Sequence, residues 1–79
     1  MIKLTQIKKQ GNFISCYAFV EDSKTPFELV YNVELDEVEP YELPKGYEYC
    51  KAHVRMAKYF FRKKIESENL PTEKLIMWY

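Results

Sequence analysis

Residues 47–67 read Tyr47-Glu48-Tyr49-Cys50-Lys51-Ala52-His53-Val54-Arg55-Met56-Ala57-Lys58-Tyr59-Phe60-Phe61-Arg62-Lys63-Lys64-Ile65-Glu66-Ser67, and their spacing decides the fold. At 100° per residue, Tyr49, Cys50, His53, Val54, Met56, Ala57, Phe60, Phe61 and Ile65 fall within one broad arc. Lys51, Arg55, Lys58 and Arg62 fall on a narrow stripe outside it. That division belongs to an amphipathic helix laid on a core. Leu43-Pro44-Lys45-Gly46 precedes the segment, Ser67-Glu68-Asn69 closes it, and no proline or glycine intervenes before Pro71. The spacing predicts one long helix over roughly residues 47–67.

Upstream of the helix the period is two. Ile2 and Leu4 begin a short strand that runs to about Ile7, and Gln10-Gly11-Asn12 supplies turn residues. From Phe13 to Val20, Phe13, Ser15, Tyr17 and Phe19 point one way, and Ile14, Cys16, Ala18 and Val20 the other. Glu21 to Pro26 is a polar connector, after which Phe27, Leu29, Tyr31 and Val33 share a face opposite Glu28, Val30 and Asn32. A second reversal at Leu35-Asp36-Glu37 leads to a short strand through Val38 and Tyr41. Pro40 confines that strand to an edge or a bulge, because proline cannot donate to the ladder. Lys74 to Tyr79 reads as a buried strand returning to the sheet, with a short helical turn as the alternative. The predicted architecture is α+β, in the order ββββαβ: an antiparallel sheet of about five strands with one long helix on one face.

The chain has 79 residues, which suits a single domain spanning 1–79 and a small core. Two glycines, four prolines and 16% aromatic residues exclude collagen-like and disordered classes. No apolar run reaches the ~18 residues of a membrane span, and Met1 to Gln6 lack the apolar stretch of a signal peptide. The expectation is a cytoplasmic protein whose two cysteines are free thiols. Ten lysines against two arginines point to AT-rich coding, as in low-GC bacteria or their phages.

The formal net charge is zero, yet the charges are segregated. Residues 1–10 carry +3, residues 11–44 carry −7, residues 45–64 carry +6 and residues 65–79 carry −2. The acidic block falls on the predicted hairpins and the basic one on a helix edge. Whether the two patches face each other or face separate partners divides the functional readings.

Chemical motifs are few. Cys50 and His53 stand at i and i+3, a spacing open to a thiolate–imidazole pair or half a zinc site with Cys16. Both lie on the apolar arc, no CxxC or HxxxH spacing occurs, and no glycine-rich turn precedes Cys50, so they read as core. Glu34-Leu35-Asp36 spaces two carboxylates as a calcium loop would, but the central glycine of such a loop is missing. Gly11 and Gly46 are isolated, which excludes Rossmann and Walker phosphate loops. No catalytic residue, metal or cofactor is implied.

These features point to a small non-enzymatic module that binds a partner protein and associates with its own copy. One helix covers one side of a sheet, while both faces of the second and third strands carry large apolar groups. The expected working surface is the aromatic sheet face of Tyr17, Phe19 and Tyr31, the acidic hairpin of Asp36, Glu37 and Glu39, or both. Trp78 and Tyr79 at the terminus are candidate anchors for a partner groove, interface hot spots being rich in these residue types, with burial of Trp78 in the chain's own core as the default reading. An alternative is nucleic-acid binding, with Lys51, Arg55, Lys58 and Arg62 neutralising phosphates and Tyr59 stacking on a base. A third reading is a small-ligand site in an aromatic pocket at the sheet–helix or dimer junction.

Overall fold

The computed structural model describes residues 1–67 and 70–77. Along the chain run β1 (Ile2–Gln10), β2 (Phe13–Val20), β3 (Phe27–Asn32), β4 (Glu37–Val38), α1 (Lys51–Ser67) and β5 (Lys74–Ile76). The strands form one antiparallel sheet in the order β4-β3-β2-β1-β5. The α+β architecture predicted from the two periodicities is the one observed.

β1 and β2 join through Gly11-Asn12, with Gln10 paired to Phe13 and Gly11 at φ 58°. A turn this tight needs a left-handed φ, which glycine adopts without steric cost. Ile2 and Leu4, then Ile14, Cys16, Ala18 and Val20, then Phe27, Leu29 and Tyr31 are buried on one face of the sheet. Cys50, Val54, Ala57 and Phe61 close over them at a helical spacing of three or four. The Phe61 ring stacks on Tyr31, centroids 5.9 Å apart.

Strict alternation breaks once in β1. The register against β2 shifts between Thr5 and Lys8, and Gln6 takes φ 51°. The extra residue is a β-bulge, and it turns Ile7 onto the buried face that Ile2 and Leu4 already occupy. The strand accordingly continues to Gln10 rather than ending near Ile7.

Four further details differ from the sequence expectation. The helix begins at Lys51 because residues 47–50 form turns, with the Tyr47 N–H donating to Pro44 and the Cys50 N–H to Tyr47. Tyr49, expected on the apolar arc, lies in this turn and is 71% exposed. β4 stops at Val38, two residues before Pro40, and keeps its edge position. β5 is an edge strand with Leu75 exposed, rather than a buried strand, since it pairs only with β1.

Candidate functional site

The face of the sheet turned away from α1 is laid out by strand register. Leu75 lies beside Lys3, which pairs with Phe19; Thr5 pairs with Tyr17, and Tyr17 with Glu28. Further along, Lys8 pairs with Ser15 and Ser15 with Val30, then Gln10 with Phe13, Phe13 with Asn32 and Asn32 with Glu37. Phe13 is 42% exposed, Tyr17 43% and Leu75 48%, while Phe19 and Val30 are half-buried among their neighbours. The result is an aromatic ridge along the middle strand β2, flanked by the lysines of β1 on one side and the acids of β3 and β4 on the other. At one end, Met1, Lys3, Phe19, Glu21, Lys24 and Leu75 contribute to a hollow of about 360 Å³.

Tyr31 does not belong to this face. It pairs with Ile14 and is 1% exposed, because alternation in β3 puts it with Phe27 and Leu29 under the helix. Its hydroxyl donates to Asp36 Oδ1 at 2.5 Å. Trp78 and Tyr79, the candidate anchors, lie outside the described residues.

The acidic hairpin and the basic helix edge meet. Arg62 grips Asp36 from the helix, Nη2 to Oδ2 at 2.6 Å and Nε to Oδ1 at 3.1 Å. Hydrogen bonds from Arg62 and then from Tyr31 hold the Asp36 carboxyl below the usual carboxylate range. Asp36 takes φ 53° in the turn, and Asn32 Oδ1 accepts the Leu35 N–H at 3.1 Å. Asn12 donates to Glu34 across the hairpins at 3.1 Å. Glu37 stays exposed and Glu39 half-exposed, so of the three acids assigned to the working surface Asp36 is engaged within the fold.

Along the helix edge Lys51 and Arg55 are exposed and Lys58 is half-buried, while Arg62 is taken by Asp36. The Arg62 guanidinium also sits 5.3 Å from the Tyr59 ring centroid, so Tyr59 carries an arginine of its own chain.

Cys50 and His53 lie in the core, as does Cys16. Burial pushes the Cys16 thiol up to about 12 and raises Cys50 as well, which keeps both protonated near neutrality. His53 Nε2 lies 2.6 Å from Glu21 Oε1, the same oxygen that takes the amino-terminal ammonium at 3.0 Å. Glu21 was invisible as a key residue in the sequence, where it is one of several polar residues of a connector. Its neighbour Asp22 accepts from the Tyr47 hydroxyl at 2.7 Å, a bond that pushes Tyr47 up to about 12. Both contacts tie the β2–β3 connector to the start of the helix. Among the described residues no group of three His, Cys, Asp or Glu is placed to hold a metal ion, and no helix is long and apolar enough to cross a membrane. In comparisons with protein-family models, curated proteins and solved structures, nothing matches this chain.

Proposed function

We propose that this chain is a non-enzymatic module that works by binding another polypeptide, with the outer face of its sheet as the contact surface. One observation carries the reading. The helix covers one face of the sheet, and the other presents Phe13, Tyr17 and Leu75 to solvent beside Phe19 and Val30. Interfaces differ from ordinary surface in their enrichment in tyrosine and phenylalanine at the centre and charge at the rim, and this face has that composition. Two buried, unbridged thiols support a reducing, cytoplasmic setting, and its lysine-rich composition suits a bacterium or phage. The exposed Glu37 and half-exposed Glu39 add an acidic margin to the same surface.

A photo-crosslinking side chain placed at Tyr17 in the producing cell tests this. A defined polypeptide adduct at position 17, absent with the same probe at the exposed Tyr49, is the expected outcome. No adduct at position 17 would remove the outer face from consideration.

A further inference from the structure

We propose that the occupant of the outer sheet face is a second copy of this chain, related by a two-fold axis running parallel to β2. The inference rests on reading the outer face as the contact surface, and it names the partner and its orientation. Two sheets that pack face to face keep their strands within about 30° of each other. For identical sheets, that leaves two families of two-fold axis lying between them: one along the strands and one across them. Their consequences differ.

The lateral order of charge on the outer face distinguishes them. β2 is the central strand of the five, and it carries Phe13, Tyr17 and Phe19. Lys3 and Lys8 stand on β1 to one side, Glu28 and Glu37 on β3 and β4 to the other. An axis across the strands sets β1 over β1 and so lysine over lysine, with glutamate over glutamate at the far side. An axis along β2 exchanges the two sides. Glu28, level with Tyr17 and Thr5, then comes over the partner's Thr5, between the partner's Lys3 and the partner's Lys8. The same contacts repeat on the other side of the axis, as an isologous interface requires. The aromatic ridge packs on its own counterpart at the centre, and the charges form the rim.

The dimensions suffice. Five strands about 4.8 Å apart, most of them some 20–30 Å long, give a face of roughly 500 Å² per copy. The pair therefore buries about 1,000 Å² in total, at the lower limit for specific association. The dimer is consequently concentration-dependent, and its rim charges decide between orientations.

Charge reversal in two separate variants tests both partner and orientation. Lys3, Lys8 and Glu28 are exposed, so K3E/K8E and E28K leave the core intact, which circular dichroism checks. Sedimentation should show the native chain as a dimer in the micromolar range, with each variant alone at least about tenfold weaker in self-association. An equimolar mixture of the two variants should regain native affinity, because each glutamate then faces a lysine in both halves of the heterodimer. A chain that stays monomeric into the high-micromolar range overturns the proposal, as does a mixture no tighter than its components. The crosslink at position 17 separates this failure from that of the underlying reading. An adduct with a different polypeptide refutes the second copy but retains the contact surface, whereas no adduct refutes both.

Discussion

Arg62 on α1 and Asp36 in the β3–β4 turn, 26 residues apart, are joined by two hydrogen bonds in parallel at 3.1 and 2.6 Å. Tyr31 reaches the same carboxylate from the core with its hydroxyl. One acidic side chain thus ties the outermost hairpin to the helix and to the buried face of the sheet. A fork-shaped guanidinium suits this better than an ammonium would, since two donors fix the angle as well as the distance. The opposed charge blocks of the sequence are, at this point, bound to each other.

Replacing Arg62 should release the Asp36 carboxyl toward its ordinary range. Because Arg62 is the largest influence on that group and Tyr31 the next, Arg62→Met should shift its titration further than Tyr31→Phe, as followed by carboxyl-carbon NMR. The sign for stability follows from the depressed folded-state value. Ionised Asp36 favours the folded chain above the ordinary carboxylate range, and that contribution disappears as pH falls through the lowered value. Acid unfolding of Arg62→Met should therefore set in at higher pH than in the native chain. An unmoved Asp36 titration would mean that the ion pair does not form in solution.

Phe61 is fully buried and stacks on Tyr31, so Phe61→Ala should cost about 3–5 kcal/mol in urea unfolding. For a domain this small that is a large part of the total stability. Tyr59→Ala, two residues earlier on the exposed side, should change stability by no more than about 0.5 kcal/mol. Equal costs at the two positions would contradict the observed orientation of the helix.

Both thiols should resist alkylation in the folded chain. Burial raises Cys16 to about 12 and raises Cys50, so iodoacetamide at pH 8 should label neither until denaturant is added. Rapid labelling of Cys50 in the native state would instead indicate an activated thiolate and reopen a catalytic role for the Cys50–His53 pair.

The nucleic-acid alternative makes its own demand on the helix edge. Arg62, though exposed, is held by Asp36, which leaves Lys51 and Arg55 as the other exposed members of the four-residue stripe. An electrophoretic assay at physiological salt should show no shift of duplex or single-stranded DNA. A shift that falls steeply with salt and is lost in K51Q/R55Q/K58Q would transfer the function to this stripe.

How far each feature was legible depends on its range along the chain. The alternation of residues 13–20 and 27–33 and the helical arc from Tyr49 to Ile65 are local periodicities, and the elements they predict are observed, with β3 ending at Asn32 and α1 beginning at Lys51. Pro40, from its missing N–H, left an edge position or a bulge for the fourth strand, and β4 lies at the edge and stops before it. The bulge at Gln6 carried no such mark, because the left-handed residue there is not glycine. For Tyr31 the partition was readable, as it shares parity with Phe27 and Leu29, but not the direction. Alternation defines two faces without stating which one a helix will cover.

Sequence by itself therefore determined the class of fold, the order of its elements, the two faces of β2 and the segregation of charge, all of which follow from neighbours within a few residues. Tertiary structure decided the rest. It chose which face of the sheet lies under α1, joined Asp36 to Arg62 across 26 residues, and drew Glu21 and Asp22 to the start of the helix. It also left Tyr17 and Phe19 on the uncovered face, with lysines on one side and glutamates on the other. The reason is physical: side-chain pairing over such separations depends on where the helix crosses the sheet, and the shared burial of distant apolar residues sets that crossing.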